Sequence, residues 1–153
     1  MFTSPEICCD GAVQIQVKNW YDLERELPAI RRAAERNNCR GDDFLILLAI
    51  RKAENGRAGR EFGIMHPAAI DTDLETQAAW AAATIVKNRQ RWSQEVFIAI
   101  GEGKPARAAA SGPGFIEFLA DRYCPSSIDP VGNINWKENV RYWFWKFKNN
   151  DII

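Results

Sequence analysis

Glu54 stands where a negative charge is least welcome. It follows the apolar run FLILLAI (44–50) and the basic pair Arg51 and Lys52, and it precedes Asn55 and Gly56 in LLAIRKAENGRAGREFGIM (47–65). If the run is a helix, the free carbonyls of its last turn face that carboxylate with partial negative charge and disfavour its ionised form. Apolar neighbours would add a desolvation cost and raise its pKa further. A carboxylic acid that keeps its proton near neutral pH is the donor that general acid catalysis needs, and a glutamate tuned this way can protonate a leaving glycosidic oxygen. On position alone, the plainer reading is a solvated glutamate at a frayed helix end.

The elements that must position Glu54 read as an all-α domain. Residues 20–38 carry Leu23, Leu27, Ile30 and Ala34 at helical spacing, with Pro28 either starting or kinking that helix. Asp42 and Asp43 suit a helix start and Arg51 and Lys52 a helix end, so 42–54 is expected to be helical, with Gly56 as its stop. Thr72 and Glu75 match a capping box opening the alanine-rich segment 73–91, expected to be the central buried helix. Ser93 is expected to cap a shorter helix that Gly101 ends, and 101–114 has the glycine and proline density of a loop. FIEFLADRY is a short helix barred by Pro125, and Asn135 with Glu138 resembles a capping box opening the last helix. The total is about six helices, with a gap at 55–71 that holds Gly56, Gly59 and Gly63. VQIQV (13–17) alternates with period two and reads as a short strand or extended arm.

Composition narrows the function classes. The chain of 153 residues is expected to form one domain, 1–153, with 46% apolar and 26% charged residues. Its 20 basic and 20 acidic residues cancel, so no global field points to nucleic acid or an anionic membrane. KNRQRW (87–92) is the best local basic patch and reads as a solvated helix end. No apolar run approaches the roughly 20 residues that span a bilayer. No signal peptide is read at the N-terminus, and the four cysteines lack C-x-x-C spacing, so reduced thiols are expected. His66 is the only histidine, which disfavours a zinc site, and no metal or cofactor is expected.

A helix ending in Glu, then glycines, then Gly63-Ile64-Met65 resembles the catalytic segment of lytic transglycosylases and goose-type lysozymes. Their pattern is a helix ending in Glu, usually followed by Ser, a short glycine-containing stretch and a Gly-Leu-Met-Gln or similar motif. Glu54, Gly56, Gly59 and Gly63-Ile64-Met65 match it in order, and the alanine-rich segment follows as it does in those proteins. The likeness covers roughly residues 42–92. FIEFLADRYCP and NWKENV are similar to phage-associated lysozyme-like proteins. Two positions depart: Asn55 replaces Ser, and His66 stands where Gln is expected, which puts that glutamine's hydrogen bond in the cleft in doubt.

The resemblance implies a lysozyme-like helical fold in which Glu54 is general acid and then general base on the glycosidic bond between the amino sugars of peptidoglycan. A hydrolase needs a second carboxylate. Asp71, Asp73 and Glu61 are the candidates, although Asp71 and Asp73 also read as residues at a helix N-terminus. Lytic transglycosylases use the substrate's own acetamido group instead, and an internal hydroxyl attacks to leave an anhydro sugar. Gly63, Ile64, Met65 and His66 are candidate cleft residues, and Tyr123 and Trp145 are candidate sugar platforms. Trp136, Trp143 and Phe147 fall on roughly one helical face, while Tyr142 and Trp145 lie elsewhere. The expected partner is a peptidoglycan glycan strand, bound by a monomer, with no nucleic acid and no membrane insertion. The alternatives are an inactive lysozyme-like glycan-binding or phage virion structural protein, which the loss of Gln at His66 favours, and an interaction module using the C-terminal aromatics. Such an enzyme is expected to be cytoplasmic at synthesis and to act at the cell wall if phage- or prophage-encoded.

Overall fold

The computed structural model describes residues 21–103 and 112–149. Among them the chain is all-helical and has no strand. Five helices follow one another: α1 (Leu23–Arg36), α2 (Asp42–Glu54), α3 (Leu74–Gly101), α4 (Gly112–Tyr123) and α5 (Pro130–Lys148). The expected N-terminal strand or arm, Cys8, Cys9 and most of the 101–114 loop lie outside the described residues.

The helix boundaries follow side-chain caps that differ from several expected ones. Asp22 accepts the Arg25 N–H and starts α1, so Pro28 lies inside the helix instead of opening it. Asn55, left-handed at φ 49°, ends α2, one residue before the expected Gly56. Asp73, and not Thr72, caps α3: its carboxylate accepts the Thr76 N–H at 2.8 Å. The Thr72 hydroxyl turns back to the Ala69 carbonyl, and Glu75 pairs with Arg32 and Arg36 of α1. α3 runs unbroken through Ser93, because a serine interrupts a helix only where the backbone also turns. Asp129 caps α5 by accepting the Gly132 N–H, and Pro130 fits the first helical position, where a missing N–H costs nothing. Asn135 is therefore interior to α5, bonded to the Val131 carbonyl.

The most deeply buried helix is α2, while the alanine-rich α3, expected to be central, packs against α1, α2 and α4. Ile46, Leu47, Leu48, Ala49, Ile50 and Ala53 are all buried, and a helix that is apolar all round has no face to give to water. It packs most extensively against α5 and also against α3. α3 buries one stripe, Ala78, Ala81, Ala82 and Ile85, and leaves Ala83, Lys87 and Gln90 exposed. α5 turns Trp136, Val140, Trp143 and Phe147 inward, the single face that helical spacing predicts.

KNRQRW is a mid-helix stretch of α3, and its Arg89 is only partly exposed. That guanidinium gives two hydrogen bonds to Asp43 Oδ1, at 2.7 and 3.0 Å, and lies 3.8 Å from the Phe115 ring centre. Lys87, Gln90 and Arg91 stay exposed along the rim of a shallow groove. Cys39 and Cys124 are buried free thiols, held up to about 12 and about 11 by burial first and neighbouring carboxylates second. Among the described residues no cluster of side chains could hold a metal ion, and no helix is long and apolar enough to cross a membrane.

Candidate functional site

Three helix segments meet at Glu54. It is the last residue of α2, and Asn55 then reverses the chain, its N–H returning to the Arg51 carbonyl at 3.1 Å. From the first half of α5, Trp136 Nε1 donates to Glu54 Oε2 at 2.9 Å. From the end of α4, the Tyr123 ring stacks on Trp136 with centres 4.9 Å apart and planes 22° from parallel. Both aromatic residues are buried and Glu54 is half-buried. Among the described residues no arginine or lysine forms an ion pair with Glu54.

Burial raises the Glu54 pKa to about 8, against the opposing pull of the Trp136 N–H, which favours the charged form. The proximity also acts on Tyr123, whose hydroxyl is held far above its ordinary value by burial first and the Glu54 charge second. The site therefore holds a neutral acid at pH 7, next to a phenol that does not ionise.

The 55–71 segment is a series of turns with two side-chain anchors. Arg51 is 1% exposed and reaches inward. Its guanidinium takes both Glu26 oxygens, at 2.7 and 3.0 Å, and the carbonyls of Gly56 and Glu61, at 2.9 and 3.1 Å. It also lies 3.6 Å from the Tyr21 ring centre. Gln77, fully buried on α3, satisfies four backbone groups of the segment. Its carbonyl oxygen accepts from Phe62 and Ile64 N–H, and its amide nitrogen donates to the Ile64 and Ala69 carbonyls. Two glycines permit the close turns. A Cβ on Gly56 would stand 1.8 Å from the Arg60 carbonyl oxygen, and Gly59, at φ 86°, would set one 2.7 Å from the Asp71 Cα.

The other sequence-predicted site residues fall in different places. Gly63 is a buried turn residue at φ 70°, and Ile64 packs on the core with both backbone groups held by Gln77. Met65 is exposed. His66 stacks on Trp80 at 4.5 Å, and its Nδ1 accepts the Ala68 N–H at 3.0 Å, so it orders its own turn. Tyr123 is beside Glu54, but at 3% exposure it is a wall under the carboxyl and offers no open platform. Trp145 is nine residues beyond Trp136 on the same helix, a rotation of about 180° and a rise of about 13 Å. It is therefore not brought to Glu54. It lines an outward groove with Tyr142, Arg141, Glu138, Lys146 and Asn149.

Each candidate second carboxylate is engaged elsewhere. Glu61 is buried, accepts the Gly59 N–H at 2.9 Å, and has its pKa raised by burial against backbone bonds and Arg51. Asp71 is exposed at φ 63° beside Arg60, 3.5 Å away. Asp73 caps α3, and accepting from Thr76 holds its carboxyl below the usual range.

Sequence reasoning missed Trp136 as the partner of Glu54, Gln77 as the anchor of the loop, and the inward turn of Arg51. For two of them the pattern held a clue. Gln77 shares the helical stripe of Ala81 and Ala78, where a polar side chain must find partners, and Trp136 shares the inward face of α5, where its N–H needs an acceptor. Comparison of the chain with protein-family models, with curated proteins and with solved structures finds no match.

Proposed function

We propose that this protein cleaves the glycan strands of peptidoglycan as a lytic transglycosylase does, with Glu54 as its single acid and base. One observation carries the reading: a carboxyl at a helix C-terminus, walled by Tyr123 and Trp136, with no arginine or lysine paired to it among the described residues, protonated up to about pH 8. Glu54 gives its proton to the leaving glycosidic oxygen. The substrate's acetamido group stabilises the cationic carbon, and the Glu54 carboxylate then takes the proton of the internal hydroxyl that attacks it, leaving an anhydro sugar. The engagement of Asp71, Asp73 and Glu61 in loop and cap bonds supports this route over a hydrolase with two carboxylates.

A second reading has its own observation. His66, at the place of the glutamine in the resembling motif, is occupied by Trp80 and Ala68, which favours a lysozyme-like protein that binds glycan, or builds a virion, without cutting. Digestion of purified peptidoglycan by wild type and Glu54→Gln, with mass spectrometry of the products, separates the two. The proposal expects anhydro-muropeptides from wild type and a loss of about 10²–10⁴-fold in the variant. Reducing-end products would mean a hydrolase. Intact walls of several chemotypes, with folded wild type that sediments with them, would leave the binding role.

A further inference from the structure

We propose that Trp136 is a positioning residue that decides which oxygen of Glu54 carries the acid proton: the indole N–H occupies Oε2, so Oε1 delivers the proton and takes it back. The proposal rests on the cleavage reading only for the identity of the proton acceptor.

An indole N–H can only donate. Of the two oxygens of a neutral carboxylic acid, the carbonyl oxygen is the better acceptor, so the oxygen facing Trp136 at 2.9 Å is the carbonyl one and the hydroxyl is Oε1. Trp136 cannot swing away. It is 2% exposed, and Tyr123 stacks on its face. The bond therefore fixes the last torsion of the Glu54 side chain as well as its proton.

The same bond changes strength during the reaction. As the Oε1–H bond breaks and the proton passes to the glycosidic oxygen, the carbon–oxygen bond of the leaving sugar breaks and Glu54 is left anionic. The Trp136 hydrogen bond is then charge-assisted and roughly twice as strong. That gain exists only where charge has developed, so it lowers the barrier and does not tighten substrate binding. In the second half Oε1 takes the proton of the attacking hydroxyl as that oxygen bonds to carbon, and the neutral acid returns.

Among the described residues, the groups around Glu54 leave this assignment uncontested. From α4 and the residue after it come Tyr123 and Cys124, both held protonated by burial. From α5 comes Trp136, which does not titrate. On α2, Arg51 is taken by Glu26, and Lys52 Nζ lies over the Trp143 ring at 4.7 Å.

The test begins on the unaltered protein. The indole N–H resonance of Trp136 is followed by ¹⁵N–¹H correlation as pH rises. It should move downfield with the midpoint of the Glu54 carboxyl, and stay fixed in Glu54→Gln. Replacing Trp136 by benzothienylalanine keeps the ring and removes the donor. The Glu54 midpoint and the alkaline limb of kcat should then rise by about one pH unit, and kcat should fall about tenfold with KM unchanged. An indole signal indifferent to the Glu54 titration, or a midpoint unmoved or lowered in the folded analogue protein, would overturn the proposal. If the indole tracks Glu54 and walls stay intact, the proton placement stands and the cleavage reading fails. If walls are cut and the indole is indifferent, the placement alone fails.

Discussion

Two ionisable side chains, buried Arg51 and half-buried Glu54, sit three residues apart at the end of α2, and the fold treats them in opposite ways. Arg51 is surrounded by partners: a carboxylate gripped at both oxygens, two backbone carbonyls and an aromatic face. Glu54 has, among the described residues, one neutral donor, Trp136, and two aromatic walls. The cation is thus matched by partners, and the acid is held neutral. A bundle able to build the Arg51 cluster could have matched Glu54 in the same way. The contrast assigns the two residues different work. Arg51 fastens the 55–71 segment, and Glu54 keeps a proton to give.

Removing the matched charge should have the largest effect. Arg51→Met leaves Glu26 and the carbonyls of Gly56 and Glu61 without their donor. Urea denaturation is expected to show a loss of about 3–5 kcal/mol. Adding Glu26→Met should recover part of it, because the uncompensated carboxylate is then gone.

The unmatched charge should show itself through pH. The Glu54 pKa is about 8 in the fold against a reference of 4.5, so between these values the folded state holds a proton that the unfolded chain has lost. Stability must fall as pH rises through that window and level off above it, by about 1.4 kcal/mol per pH unit at most. Glu54→Gln has no proton to lose. Its stability should equal that of wild type near pH 4 and exceed it by about 3 kcal/mol near pH 7. Glu61, whose pKa is also raised, is present in both proteins and cancels in the difference.

Gln77 sharpens the comparison from the far side of the loop. Gln77→Ala strands four backbone groups, two buried and two part-buried, and water entering the gap offsets part of the cost. A loss of about 2 kcal/mol is expected, with amide exchange accelerated first at Phe62 and Ile64. The smallest effect belongs to Trp145. Trp145→Ala faces the outer groove, so stability should change by less than about 0.5 kcal/mol, and wall cleavage should change little.

Much of this arrangement can be read from residue order. The α2 span follows from Asp42 and Asp43 at one end and Arg51 and Lys52 at the other, because charges suited to a helix dipole bracket an apolar run. The inward face of α5 follows from the spacing of Trp136, Trp143 and Phe147. What fails is local: Thr72, Ser93 and Asn135 all look like caps, but a cap needs a backbone turn that composition does not encode. Asp73 and Asp129 provide the real ones. The alanine content of α3 suggests a centre, and α3 does pack against α1, α2 and α4, whereas the apolar run of α2 makes that helix the most deeply buried. Periodicity turns Trp136 and Gln77 inward and so demands partners for them, but which partners, Glu54 and Ile64, depends on which elements pack together.

The most direct measurement is a carbon-13 titration of the Glu54 carboxyl, assigned by its disappearance in Glu54→Gln. The account predicts a midpoint near 8, with the neutral acid dominant at pH 7. A midpoint near or below 4.5 in the folded protein would mean that Glu54 is an ordinary charged carboxylate with no proton to donate, and the functional reading built on it would fall.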